Sequence, residues 1–157
     1  MMMASVMQAA EKLDLKSITS GAFSASYVTG INPIEGTDLY ASISSDGKQV
    51  VSYSFKTGKQ VAVLFDVEAA KAPMKSVEGY VMSPDGKKML VFTKSKAVYR
   101  RSFKAEYFMY DIARKTIKKL SEGENQQVAT WSPDSRHIAF VKDNNIFVTD
   151  GEKVVQV

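Results

Sequence analysis

The chain has 157 residues, 45% of them apolar and 24% charged, and it contains no cysteine. That is long and apolar enough for one domain with a buried core, which excludes disorder as its main state; the missing cysteine excludes a disulfide framework and thiolate metal sites. The net charge of +4 conceals an asymmetry, because residues 87–119 hold eleven Lys and Arg against only Glu106 and Asp111, a local +9. Gathered on one surface, such charge attracts anions; spread along strands, it is a solvated face whose lysines guard exposed edges.

Residues 1–12 are set apart as a leader. Its first ten, MMMASVMQAA, include eight apolar residues and no charge. They resemble the end of an export signal, without the positive n-region and without a small-x-small cleavage site, since Met7 stands two before Ala9. A truncated or mis-started signal and a disordered leader both remain open. No later run approaches the roughly 18 apolar residues needed to span a bilayer. Without cysteine, cytoplasm and periplasm are equally permitted.

From residue 13 onward the chain is mixed and polar, and its clearest regularity is a recurring turn: NPIEG at 32–36, SPDG at 83–86 and SPDS at 132–135. Pro33, Pro84 and Pro133 are 51 and 49 residues apart. Proline presets φ at the first central turn position, and Asp or Gly suits the next, so each turn folds locally. A strand-built repeat of that length predicts propeller blades, with units at about 22–72, 73–125 and 126–157.

The strands follow in order. After Gly36 come TDLYASIS, the turn SDGK, QVVSYSF, the turn KTGK and QVAVLF. After Pro133 come HIAFVK, IFVTD and VVQV. Apolar residues occupy both alternating sets, as in Met89 and Val91 against Leu90 and Phe92, so both faces are expected to be covered, as in stacked blades rather than a sandwich with one wet face per sheet. Short helical turns are predicted at 14–20 and at 66–72. The predicted fold is all-β: a partial propeller of about three four-stranded antiparallel blades, the last lacking its fourth strand. An open ring leaves an unpaired edge, so the chain reads as part of a longer protein.

The middle unit departs from the rhythm. KKMLVFT forms a strand, and KSKAVYRRSFKA continues it without Gly, Pro or Asn, predicting an extended ribbon that projects from the blade. A guanidinium carries several donors in a rigid plane, suited to gripping a carboxylate or a peptide carbonyl, and Tyr99 or Phe103 could stack on it. The other reading is an edge strand with Arg100 and Arg101 on opposite sides, one paired with Glu106 and one in water. The residues alone leave these two open.

The order SPDGKKMLVFT, VYRRSFKAEYFMYDI, TWSPDSRHIAFVKDNNIFV resembles the N-terminal propeller region of dipeptidyl peptidase IV, in the prolyl oligopeptidase clan of serine peptidases, and LDLKSITSGAF resembles its entry into the first blade. SPDG is shared by many propellers, whereas aromatic-Arg-x-Ser-aromatic before YDI is far more specific. The resemblance implies an eight-bladed propeller capping an α/β-hydrolase domain that supplies the Ser, Asp and His, and an enzyme removing N-terminal dipeptides with Pro or Ala second. It implies that Arg100, after Tyr99 and before Ser102 and Phe103, binds the substrate's backbone carbonyl and orients a glutamate pair gripping the free amino terminus. Arg101 falls where the family often has His and is assigned no role.

The glutamate pair of the family is not in this chain, nor is a G-x-S-x-G elbow, and His137 is the one histidine, read as structural or superficial. No catalytic residue, no metal site and no cofactor is predicted, and the chain alone is not expected to cleave peptides. The expected partners are a peptide with a free N-terminus and the remaining blades and hydrolase domain, with homodimerisation of the full-length protein left open. A bacterial periplasmic or secreted location is expected. Two alternatives stand beside this reading: a non-catalytic propeller-type binding module completed by oligomerisation or a partner, and a nucleic-acid surface using the +9 segment with its aromatics, for which no recognised motif is present.

Overall fold

The computed structural model describes residues 14–24, 30–123 and 126–157. The apolar leader lies outside the described residues. Three four-stranded antiparallel sheets make up the domain. The first holds β1 (Asn32–Pro33), β2 (Leu39–Ile43), β3 (Gln49–Ser54) and β4 (Gln60–Asp66). The second holds β5 (Gly79–Met82), β6 (Lys88–Tyr99), β7 (Ser102–Asp111) and β8 (Thr116–Lys119). The third holds β9 (Gln127–Trp131), β10 (Ile138–Lys142), β11 (Asn145–Thr149) and β12 (Val154–Gln156). In each sheet the strands are neighbours in chain order, the meander of a propeller blade.

The third sheet was expected to lack a strand, yet it has four, because β9 precedes its SPDS turn and pairs Ile138 with Trp131. Counting strands only after the turn missed it. The segment 66–72 is a hydrogen-bonded turn rather than a helix: Asp66 Oδ1 accepts from the N–H groups of Glu68 and Ala69, both at 2.8 Å, and Lys71 then takes φ 49°, a left-handed value that stops helix propagation. The predicted helical turn at 14–20 is present as α1 (Leu15–Thr19), capped by Asp14, whose carboxylate accepts the Ser17 N–H at 2.6 Å.

The recurring turns each join the first strand of a sheet to the second, and they stand side by side. Within SPDG and SPDS the serine hydroxyl donates to the aspartate two residues on, at 2.7 Å for Ser83–Asp85 and 2.5 Å for Ser132–Asp134. Gly86 sits at φ 67°, and Ser135 occupies the matching place at φ 60°, a conformation unfavourable for a residue with a Cβ. Ser135 Oγ accepts the Asp85 N–H at 3.0 Å, so the strain is offset by a bond between sheets.

The middle sheet is covered on both faces, as the doubled apolar pattern predicted. Met89, Val91, Phe108 and Tyr110 pack with Ala41, Val50 and Phe65 of the first sheet, where Phe65 and Tyr110 meet edge to face at 4.8 Å. Leu90, Ala105 and Tyr107 pack with Ala129, Trp131, Ile138 and Phe140 of the third. The first strands of neighbouring sheets are bonded directly: Asn32 Nδ2 donates to the Tyr80 hydroxyl at 2.9 Å and Trp131 Nε1 to the Val81 carbonyl at 3.2 Å. Stacked sheets joined at their first strands are the radial arrangement of a partial propeller. Among the described residues no helix is long and apolar enough to cross a membrane.

Candidate functional site: the arginine ribbon

β6 and β7 outrun their neighbours. β5 begins at Gly79, opposite Phe92, and β8 ends at Lys119, opposite Phe108, so from Lys94 to Lys104 the two strands continue as a bare hairpin. Its eleven residues, about five per strand at roughly 3.3 Å each, carry its tip some 15 Å past the sheet. Tyr99 pairs with Ser102, which makes Arg100 and Arg101 the two-residue connection. The extended ribbon predicted for 94–105 is therefore a hairpin that reverses at the arginines. No Gly, Asn or Pro marked the reversal. The usual two-residue hairpin loops need positive φ, which neither arginine adopts; a register slip between Ala97 and Tyr99 absorbs the misfit instead.

Both arginines are exposed, and Tyr99 beside them is 83% accessible. Glu106 does not pair with either, contrary to one of the two readings of the residues. Its carboxylate, 8% exposed, instead bridges Lys119 Nζ at 2.8 Å on β8 and Lys94 Nζ at 3.0 Å on β6. Burial pulls its pKa upward, but hydrogen bonds and charge from Lys119 and Lys94 hold it below the ordinary glutamate range. Phe103 does not stack on a guanidinium; its ring lies 5.1 Å from Phe92, itself 5.1 Å from Tyr107. Gly79 leaves room for this aromatic root, since a Cβ there would stand 2.2 Å from the Phe92 ring.

A two-stranded ribbon is marginal in water, so its root needs support. Gln126 supplies part of it, although nothing in GENQQ distinguished it beforehand. Its main chain exchanges bonds with Ala105 at 2.9 and 3.2 Å, and its fully buried side chain accepts the Tyr107 N–H at 3.1 Å and donates to the Gly123 carbonyl at 2.9 Å. It extends the ladder on the outer side of β7 beyond the end of β8.

The basic segment is divided by this geometry. Lys94, Lys96, Arg100, Arg101 and Lys104 follow the ribbon, whereas Lys87, Lys88, Arg114 and Lys115 lie at the opposite end of the sheet. His137 is exposed and just precedes β10 rather than lying inside it; its N–H donates to Ser132 Oγ at 2.9 Å. Among the described residues no group of three or more His, Asp or Glu side chains could hold a metal ion.

Residues 83–157 match the family described as the dipeptidyl peptidase IV (DPP IV) N-terminal region. The chain is 30% identical over 154 residues to a probable dipeptidyl-aminopeptidase B of Tuber melanosporum, covering 90% of this chain and 17% of that protein. It is 32% identical over 119 residues to dipeptidyl aminopeptidase B of Saccharomyces cerevisiae, covering 74% of this chain and 14% of the relative. The crystal structure of Porphyromonas gingivalis dipeptidyl peptidase 4 superposes with a TM-score of 0.80 at 38% identity, covering 94% of this chain and 22% of that one. The chain thus spans only a small part of each relative's length. By sequence and by fold, it is recognised as dipeptidyl peptidase IV N-terminal region, with dipeptidyl aminopeptidases as its homologues.

Proposed function

We propose that these residues are the first blades of a dipeptidyl peptidase IV-type serine exopeptidase, releasing Xaa-Pro or Xaa-Ala dipeptides from peptides with a free N-terminus. This part gates and orients the peptide, and the chemistry belongs to a hydrolase domain elsewhere in the full-length protein. The observation that carries the reading is the placement of Arg100: a cation at the tip of a ribbon standing clear of its own sheet, not ion-paired among the described residues. Glu106, the carboxylate that the residues alone offered as its partner, is taken by two lysines.

At that tip the guanidinium can donate to a substrate carbonyl without first giving up a partner of its own. Enclosed by the rest of the propeller, the pair would lose competing water, and a charge-assisted hydrogen bond of this kind contributes about 1.5–3 kcal/mol. Arg101 remains without a role. Residues 1–10, uncharged and mostly apolar, support an exported, periplasmic or secreted protein.

The test is Arg100→Ala in the full-length protein. kcat/KM for a dipeptidyl substrate should fall by about one to two orders of magnitude. Undiminished activity would remove Arg100 from the site.

A further inference from the structure

The ribbon does not leave the sheet straight. Thr93 pairs with Glu106 and Lys96 with Lys104, so Lys94 and Ser95 oppose the single residue Ala105, and Lys94 takes φ 54°. This is a β-bulge, which bends and twists the strand that carries it. A bulge leaves N–H groups without ladder partners, and here one carboxylate collects them. Glu78, immediately before β5, accepts the Lys94 N–H at 2.8 Å on Oε1 and the Ser95 N–H at 2.9 Å on Oε2, and the Ser95 hydroxyl donates to the same Oε2. Its own N–H donates to the Phe92 carbonyl at 2.9 Å. Main chain and side chain of one residue thus bracket the bend.

We infer that Glu78 is a positioning residue: its carboxylate fixes the bulge at Lys94–Ser95 and so sets the direction in which the ribbon presents Arg100. This rests on the reading of Arg100 as a substrate-binding group. Glu78 belongs to neither hydrophobic core and is itself exposed, so a role in folding does not account for three bonds converging on it. Both oxygens are needed because the two N–H groups point to different atoms of the carboxylate. Small rotations at the root are magnified at the tip, where a displacement of about 1 Å is enough to disrupt catalytic geometry. Burial acts to raise its pKa, but the bonds from Ser95 and Lys94 leave it below the ordinary glutamate value, so the carboxylate accepts all three at neutral pH.

The experiment compares Glu78→Ala, Glu78→Gln, Arg100→Ala and the Glu78→Ala/Arg100→Ala pair in the full-length protein, with amide hydrogen exchange measured alongside peptidase kinetics. Glu78→Ala should lower kcat/KM about tenfold, chiefly by raising KM. It should add little in the Arg100→Ala background, and exchange at Lys94, Ser95 and along 96–104 should quicken. Glu78→Gln, which keeps the shape and one acceptor oxygen, should recover part of the loss. A fall in kcat at unchanged KM, or losses that multiply in the double variant, would assign Glu78 a merely structural or independent role. If Arg100→Ala impairs activity and Glu78→Ala does not, the inference is overturned while the functional reading stands. If Arg100→Ala is without effect, that reading fails, and unchanged exchange in Glu78→Ala would then dispose of the clasp as well.

Discussion

Gln126→Met removes the polar end of a fully buried side chain while keeping its length and approximate volume. The loss divides unequally between the two partners. Gly123 lies in an exposed turn, so its carbonyl can turn to water at little cost. The Tyr107 N–H cannot, because Tyr107 is 3% exposed and its outward side faces Gln126. An orphaned buried N–H costs about 1–3 kcal/mol, and the apolar methionine end returns part of this, leaving a net destabilisation of about 1–2 kcal/mol. Urea unfolding monitored by Trp131 is the assay, since Trp131 is the sole tryptophan and packs in the same cluster as Tyr107. With a slope of about 1.5 kcal/mol per molar, the midpoint should drop by roughly 1 M at unchanged slope. Gln126→Glu supplies a control of opposite pH sense. It retains an acceptor for Tyr107 but turns its second oxygen toward the carbonyls of Gly123, Glu122 and Ser121, which raises the folded-state pKa of the new carboxyl. Its penalty should be present at neutral pH and fade as pH falls through that raised value. A Met variant as stable as the parent would refute the claim that Gln126 completes the ladder on β7.

Two further outcomes are expected. Glu106 has a depressed folded-state pKa, so its contribution is present above the ordinary glutamate value of about 4.3 and lost as pH falls through the lower folded value. Glu106→Gln should therefore cost about 1 kcal/mol at pH 7, both lysines being partly solvated, and should flatten the acid limb of a stability–pH curve; parallel curves would show that the bridge to Lys94 and Lys119 contributes nothing. Brief trypsin treatment should cut first after Arg100 or Arg101, the exposed connection of a two-stranded ribbon, with the three sheets left associated; first cuts confined to other sites, identified by mass spectrometry, would contradict the projecting hairpin.

Local chemistry was legible wherever a residue's preference is decided by its neighbours in the chain. Pro33, Pro84 and Pro133 with their Asp and Gly companions define turns at a blade's spacing, and the turns join first to second strands as that spacing requires. The doubled apolar pattern of Met89 to Phe92 correctly implied a sheet covered on both faces. The motif around Arg100 was legible as a family resemblance. Its position at a hairpin tip was not, because VYRRSF contains none of the residues that ordinarily make a reversal, and the register slip near Val98 that permits one is a property of two strands together. β9 escaped notice for a related reason: QVATW reads as a strand only once Ile138 and Ala139 are beside it.

The sequence by itself determined the class of fold and the number of sheets, and it offered Arg100 as the candidate to meet a substrate. Turn propensity and alternation are short-range effects, and a guanidinium keeps its chemistry in any setting. Tertiary structure alone decided which partners the charged and polar groups took: Glu106 with two lysines rather than an arginine, Gln126 with Tyr107, Glu78 with the bulge. Those choices depend on which unsatisfied N–H groups and cations the completed sheets bring within about 3 Å, and nothing local to Glu78, Glu106 or Gln126 encodes that distance.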